Sequence, residues 1–221
     1  NENGNWSEPQ NIGEPINTNK TEMSPFIHPD GKTLYFASDG HFGMGGLDLF
    51  FSRKQEDGSW SEPQNLGYPI NTHHDEGFFI VNALGNMAYF SSNKFGGYGK
   101  LDLFCFELPE EVRPTPVTYL KGIVLEAETN KKLSANFELF DLETGKLVVR
   151  SVSDEADGSF IVSLPISKNY ALHVSKEGYL FHSENFALDE NINKIGTYEK
   201  NVILQAIKTG EVVVLRNIFF D

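Results

Sequence analysis

The amino-acid sequence repeats itself at an offset of 54 residues. The copies align without a gap, and roughly half of the positions from 6 to 50 are identical. They include Trp6-Ser-Glu-Pro-Gln-Asn11 with Trp60-Ser-Glu-Pro-Gln-Asn65, Glu22 with Glu76, and Leu47-Asp-Leu-Phe50 with Leu101-Asp-Leu-Phe104. A period of this size indicates serial copies of one supersecondary unit.

Each period contains four short strand patterns bounded by Gly, Asn and Asp, which in the first copy cover 24–27, 32–37, 47–53 and 59–66. Asp30-Gly31 and Asp57-Gly58 are hairpin signals, because both residue types tolerate a tight turn. The pattern therefore predicts a four-stranded antiparallel sheet in each period, which is the form of a propeller blade.

The first copy resembles the repeat of TolB-type and tricorn-type β-propellers. The resemblance rests on Glu22, on Pro29-Asp-Gly-Lys-Thr-Leu-Tyr-Phe-Ala-Ser38 and on Gly45-Gly-Leu-Asp-Leu49. The second copy departs from it at Ala83-Leu84-Gly85-Asn86 and at Gly99-Lys100. A closed propeller has typically about 4–8 blades, so the resemblance implies a partial β-propeller of about two four-stranded blades over residues 1–108.

A proline-rich segment, 109–116, follows the repeats and predicts a stiff linker. Seven short strand patterns come after it, within 117–207. They predict an antiparallel β-sandwich. The whole chain is thus expected to be all-β, with two cores on either side of the linker.

The second half resembles the carboxypeptidase regulatory-like, or transthyretin-like, sandwich. The resemblance rests on Leu120-Lys-Gly-Ile-Val124, Asp157-Gly-Ser-Phe160, Tyr170-Ala-Leu-His-Val174 and Gly178-Tyr179. It implies an accessory module of seven strands without catalytic residues.

Residues 208–221 end in an apolar run, Glu211 to Asp221, that resembles the first strand of an OmpA-type domain. Together with the order of the preceding parts, it resembles a Bacteroidetes envelope protein of the kind associated with type IX secretion. The resemblance implies a location in the periplasm at the outer membrane and envelope or secretion-machinery proteins as partners. Peptidoglycan would be bound only by the missing remainder of the OmpA-type domain.

The formal net charge of −13 opposes binding to nucleic acid or to an anionic membrane surface. An acidic patch for cationic partners or Ca²⁺ is the alternative to simple solubilisation. No apolar stretch reaches the ~20 residues of a membrane-spanning helix, and the start of the sequence has no features of a signal peptide. Cys105 lies in an apolar run and is expected to be a small buried side chain.

Acidic residues recur once per repeat, as Glu22 and Glu76 and as Asp48 and Asp102. Such repetition favours a structural acceptor of loop N–H groups over a catalytic pair, which needs two different environments. We therefore predict no catalytic residues and no cofactor.

The His73-His74-Asp75-Glu76 run offers four potential metal ligands in a row. Adjacent strand residues point to opposite faces, and the first copy keeps only Glu22 of these residues. A surface loop without a metal is the favoured interpretation.

Two sets of aromatic residues are candidates for contacts. Trp6 and Trp60 recur with the repeat, which favours core packing over sugar stacking. Phe42, Phe95 and Tyr98 lie on glycine-rich loops, where binding residues are common. The resulting hypothesis is a non-catalytic envelope scaffold that binds proteins; a glycan-binding module and, more remotely, a hydrolase are the alternatives.

Overall fold

The computed structural model describes residues 7–93, 98–189 and 197–208. The chain divides into two compact units, Asn1–Thr115 and Pro116–Asp221. We call them unit 1 and unit 2 and describe each by itself. Neither has a described helix that is long and apolar enough to cross a bilayer.

Unit 1 begins with a four-stranded antiparallel meander, which we call sheet 1. Its strands, in spatial order, are β1 (Glu22–Ile27), β2 (Thr33–Ser38), β3 (Asp48–Arg53) and β4 (Gln64–Asn65). The β1–β2 turn forms where the sequence predicts it, with Gly31 at φ +69° and its N–H 2.9 Å from the His28 carbonyl oxygen. The fourth strand is shorter than the predicted segment, since only two of its residues pair with β3.

A three-stranded antiparallel meander follows, which we call sheet 2. It contains β5 (Glu76–Val81), β6 (Met87–Ser92) and β7 (Asp102–Glu107). Both sheets have a register shift at the same repeat position in their first strand, where Ser24 and Phe78 take φ values of 53° and 50°. The local irregularity is therefore part of the repeat.

One face of sheet 1 packs against sheet 2. Tyr35 is fully buried there, with its ring centroid 5.0 Å from that of Phe79. The buried side chains shared by the two sheets are apolar: Tyr35, Ala37, Leu49, Phe51, Leu66, Ile70, Phe79, Val81, Ala88, Phe90 and Leu108. Burial of this apolar surface is the main source of stability for unit 1.

The segment predicted as a stiff linker packs onto the rest of unit 1 up to Thr115. It contains a 3-10 helix, Glu110–Val112, whose last carbonyl accepts a 2.8 Å bond from the Tyr35 hydroxyl. Arg113 donates to the Leu108 carbonyl at 2.6 Å, and the Thr115 N–H donates to Asp30 at 3.0 Å. The main chain of this segment is thus held at several points.

Unit 2 is a sandwich of two sheets around one core. Its strands, in chain order, are β8 (Val117–Glu126), β9 (Asn136–Asp141), β10 (Leu147–Val152), β11 (Ser159–Pro165), β12 (Lys168–Ser175), β13 (His182–Leu188), β14 (Thr197–Glu199) and β15 (Val202–Leu204). One sheet has the order β10-β9-β12-β13, and the other has β11-β8-β14 with β15 also paired to β8. Leu120 and Val124 of one sheet share a core with Phe137 and Leu172 of the other.

Two details of unit 2 correct the prediction of a seven-stranded antiparallel sandwich. The last predicted strand is two strands, β14 and β15, because the pairing with β8 is interrupted at Lys200 and Asn201. Both run parallel to β8 rather than antiparallel. Within the described residues, unit 2 thus has eight strands rather than seven, and two of them pair in parallel with a third.

The all-β class and the antiparallel sheets agree with the prediction, but the partial propeller is not shown. Within the described residues, sheet 1 and sheet 2 are both open, and neither closes with other strands into a ring. The division into 1–108, 109–116 and 117–207 stays a prediction, and 209–221, which hold the OmpA-like run, lie outside the described residues.

Candidate functional site

The two glycine-rich loops of unit 1 connect β2 to β3 and β6 to β7. Phe42 and Tyr98 project from them with relative exposures of 98% and 104%. Phe95, the third predicted contact residue, lies outside the described residues. The two described aromatic side chains are thus fully available to a partner.

A carboxylate at the start of the following strand holds each loop. Asp48 accepts hydrogen bonds from the N–H groups of Met44, at 2.8 Å, and Gly45, at 3.0 Å. In the second repeat, Asp102 accepts the equivalent bonds from Tyr98, at 2.6 Å, and from the next residue, at 3.0 Å. Tyr98 thus occupies the position of Met44 and has its main chain fixed in the same way.

Close packing explains why the first loop is rich in glycine. A Cβ atom on Gly45 would lie 2.6 Å from the Thr72 carbonyl oxygen, and one on Gly43 would lie 2.0 Å from an Asp48 carboxylate oxygen. Beyond these glycines, the Leu47 N–H donates to Asp75 at 2.9 Å. The loop main chain therefore lies directly on the segment that precedes β5.

Glu22 and Glu76 organise the turn before each sheet. The Glu22 carboxylate accepts from the Thr18 N–H at 3.0 Å, from the Thr18 hydroxyl at 2.7 Å and from the Ser38 hydroxyl at 2.9 Å. Glu76 accepts the equivalent bonds from Thr72, at 3.1 and 2.7 Å, and from Ser92 at 3.2 Å.

Burial by itself would raise the pKa of Glu22, but the hydrogen bonds from Thr18 and Ser38 outweigh it, so the pKa lies below its ordinary value. A carboxyl group held ionised in this way serves as an acceptor for its turn. This geometry is the one that a structural role requires, although the role itself stays a prediction for Glu22, Glu76, Asp48 and Asp102.

The His73 to Glu76 run does not converge on one point. The rings of His73 and His74 lie 3.9 Å apart, whereas the Glu76 carboxylate is directed to Thr72 and Ser92. Among the described residues, no group of three or more His, Cys, Asp or Glu side chains is placed to hold a metal ion.

Trp60 is half-buried and packs against the outer side of sheet 1. Its neighbours there are Ile16, Leu34, Phe36 and Phe50. Trp6, its counterpart in the first repeat, lies outside the described residues.

Sheet 2 carries an apolar face that was not predicted from the sequence. Cys105, expected to be buried, is exposed on this face, because the described residues place no strand over it. It stands where the first repeat has Phe51. That change from a large aromatic residue to a small one is the signal that could have located the face.

No protein-family model matches the chain. No curated protein matches it either. Comparison with solved structures finds the Bacillus anthracis TIE protein, with 15% identity and a TM-score of 0.35 over 80% of this chain and 31% of that protein. The chain thus spans about a third of that protein's length.

Two pilins are also similar at this level. The group B streptococcus pilus 2b backbone protein has 12% identity and a TM-score of 0.37, with 86% of this chain and 80% of that chain covered. The minor pilin of Streptococcus agalactiae has 13% identity and a TM-score of 0.32, with 77% and 73% covered. TM-scores in this range do not establish a common fold.

These findings correct the family resemblance. The chain was expected to be a TolB-like propeller with a carboxypeptidase regulatory-like domain and the start of an OmpA domain. No family model supports any of these parts, and the described sheets stay open. The expectation of a peptidoglycan anchor rested on the OmpA resemblance and is withdrawn with it.

Proposed function

We propose that the chain is a non-catalytic scaffold that binds a protein partner through the two glycine-rich loops of unit 1. The observation that carries the proposal is the full exposure of Phe42 and Tyr98. Large aromatic side chains supply much of the energy at protein interfaces, because they bury a large area with few rotatable bonds.

The main chain next to these side chains is held by hydrogen bonds. Asp48 and Asp102 fix the main chain of the loops, and Gly45 lies against the backbone of the preceding segment. Such a loop loses little conformational entropy on binding, so more of the contact energy is retained as affinity. A fixed platform with exposed aromatic side chains favours recognition of a folded protein surface.

The expected envelope location and the expected envelope or secretion-machinery partners belong to the same proposal. The −13 net charge supports a partner that is neither nucleic acid nor an anionic membrane. Comparing the proteins that the chain captures from a cell-envelope extract and from a cytosolic extract tests the location together with the partner.

The experiment compares the proteins captured from these extracts by the full chain, by a double variant Phe42→Ala/Tyr98→Ala and by Tyr68→Ala. Tyr68 is a matched control, because it is an exposed aromatic residue of unit 1 outside the two loops. A partner identified by mass spectrometry is then purified and titrated calorimetrically. We expect the double variant to weaken binding at least about tenfold and Tyr68→Ala to leave it unchanged.

Equal affinity for the chain and the double variant would refute the loop proposal. Saturable binding on a glycan array that depends on Phe42 and Tyr98 would instead establish the glycan-binding alternative.

A further inference from the structure

Sheet 2 has one apolar face that the described residues leave exposed. We call it the outer face of sheet 2 and define it by Phe78, Ile80, Tyr89, Leu103 and Cys105. Ile80 lies opposite Tyr89, and Tyr89 lies opposite Cys105, so these three form one row across the sheet. Leu103, in the neighbouring row, has a relative exposure of 84%. A continuous apolar surface of this kind marks an interaction site.

The repeat shows what such a face accepts. At the 54-residue offset, Tyr89 and Leu103 correspond to Tyr35 and Leu49 of sheet 1. Both of these are fully buried, whereas Tyr89 is 44% exposed. The difference arises because sheet 2 covers this face of sheet 1, and the described residues place no further sheet over the same face of sheet 2.

The covering surface is also present twice. Sheet 2 and the segment before it cover sheet 1 with Leu66, Phe79 and Val81, which are all buried. Their counterparts in the first repeat are Ile12, Pro25 and Ile27, and these are exposed. Among the described residues, both halves of the contact between sheet 1 and sheet 2 are therefore present a second time and are left uncovered.

A polar contact between the segment before sheet 2 and sheet 1 also has a counterpart in the first repeat. The Asn71 side chain accepts from the Leu49 N–H and donates to the Leu49 carbonyl oxygen, both at 2.8 Å, and also donates to Asn65. Its counterpart Asn17 makes the corresponding bond to Asn11, at 2.9 Å. The Asn17 side chain thus makes the same bond that holds Asn71 where it contacts Leu49 on β3.

We propose that a second copy of this chain docks onto the outer face of sheet 2 with the surface formed by Ile12, Pro25 and Ile27. The arrangement reproduces the contact between sheet 1 and sheet 2, with Asn17 of the incoming copy placed at Leu103 as Asn71 is at Leu49. The two surfaces differ, so the contact is head-to-tail and can be extended by further copies.

Sedimentation velocity of the full chain over a wide concentration range tests the association. Leu103→Glu places a charge at the centre of the outer face, where docking would have to desolvate it. We expect this variant to weaken association at least about tenfold. The control is Ile161→Glu on β11 of unit 2, which changes an exposed apolar residue of similar exposure outside the proposed contact.

Mixing two variants tests the head-to-tail geometry. Ile27→Glu disables the docking surface and keeps the outer face, while Leu103→Glu does the reverse. We expect each variant alone to remain monomeric and an equimolar mixture to form a dimer that grows no further. A contact between identical surfaces would give no such recovery.

Cys105 provides an independent readout, since docking would cover its thiol. We expect its rate of alkylation by a maleimide to fall at least about tenfold as the concentration of the chain rises through the association range, but not in Leu103→Glu. A chain that stays monomeric into the millimolar range, or that associates equally well as Leu103→Glu, overturns the proposal. Either result would mean that another segment or a different protein is the occupant of this face.

Discussion

At the scale of single residues, Asp30 connects parts of unit 1 that are distant in sequence. Its carboxylate accepts from the N–H groups of Lys32 and Thr33 within the β1–β2 turn, at 2.9 Å each, and from the Thr115 N–H at 3.0 Å. Burial opposes the charge, but contacts with His28, Lys32 and Thr33 prevail, and the pKa of Asp30 falls to about 2.

We predict that Asp30→Asn removes stability in a pH-dependent manner. The folded pKa of about 2 lies below the ordinary value of 3.8, so the contribution is complete above about pH 4 and is lost as the pH falls towards 2. At pH 7 the substitution should lower the free energy of unfolding by about 1–3 kcal/mol.

Urea denaturation at several pH values measures this effect, with Asp57→Asn as a control in an exposed Asp-Gly turn. The difference in the free energy of unfolding between the native chain and Asp30→Asn should become smaller from pH 4 to pH 2. A gap that is constant over this interval would show that the carboxylate charge contributes no stability.

Several single-residue features could be predicted from the sequence, and others could not. The Asp30-Gly31 turn follows from residue type, because glycine readily adopts the positive φ that the turn needs. The second repeat lacks this pair, and Asn82 supplies the acceptor in its place, bonding the N–H groups of Asn86 and Met87 at 3.1 Å. Cys105 was wrongly predicted to be buried, because an apolar strand pattern does not show which of the two sheet faces is covered.

At the scale of strands, Gly122 determines how β8 meets the end of unit 2. A Cβ atom there would lie 1.8 Å from the Lys200 carbonyl oxygen and 2.8 Å from the Phe160 ring. The neighbouring Ile123 N–H donates to the Asn201 side chain at 3.0 Å, which occupies the gap between β14 and β15. Only a residue without a side chain permits this close approach.

We predict that Gly122→Ala destabilises unit 2 by about 3 kcal/mol, because the backbone of Lys200 must move away from β8. Gly77→Ala is the control, since a Cβ atom on Gly77 meets nothing within 4 Å, and it should change stability by less than about 1 kcal/mol. Hydrogen exchange of peptides that cover β8 reports on unit 2 directly. Unchanged protection of those peptides in Gly122→Ala would contradict this account of the glycine.

Strand positions were largely predictable, while strand partners were not. The runs that became β2, β3 and β9 were predicted from short apolar patterns between turn residues, as local sequence allows. The split between β14 and β15 depends on Gly122, about 80 residues earlier in the chain. Pairing across such a distance has no local signal.

At the scale of the whole molecule, the segment after sheet 2 determines where unit 1 ends. Arg113 donates to the Leu108 carbonyl and forms a 3.1 Å ion pair with Glu107. Local opening of this segment requires these contacts to break, so they control its access to a protease.

We predict that Arg113→Ala increases the rate of cleavage after Glu110 and Glu111 by a glutamate-specific protease several-fold. The control is Arg150→Ala, which removes a partly exposed ion pair with Glu138 in unit 2. Fragment masses over time identify the cleavage sites. Equal rates in the two variants would mean that Arg113 does not hold the segment.

The overall architecture was predicted only in part. The repeat correctly indicated two similar sheets in series, since Tyr35 and Tyr89 occupy matching positions in matching strands. It does not determine how sheets are arranged beyond the first pair, because Leu49 and Leu103 are the same residue type in a covered and in an uncovered face. Phe42 and Tyr98 are exposed, as their position on glycine-rich loops suggests, and their role as contact residues stays a prediction. Exposure of the outer face of sheet 2 could not be predicted, because an apolar strand pattern does not show which face another sheet covers.

The parallel pairing of β8 with β14 and β15 has a mechanical consequence. Among the described strands of unit 2, β8 comes first and β14 and β15 come last, and they are hydrogen-bonded side by side along the same direction. A tensile load applied at the start of β8 and the end of β15 pulls the two strands past each other, so their hydrogen bonds are loaded in shear together rather than unzipped in succession. The described part of unit 2 is therefore built to resist extension when it is pulled at the start of β8 and at the end of β15, whereas the hairpin between β12 and β13 would peel open one pair at a time.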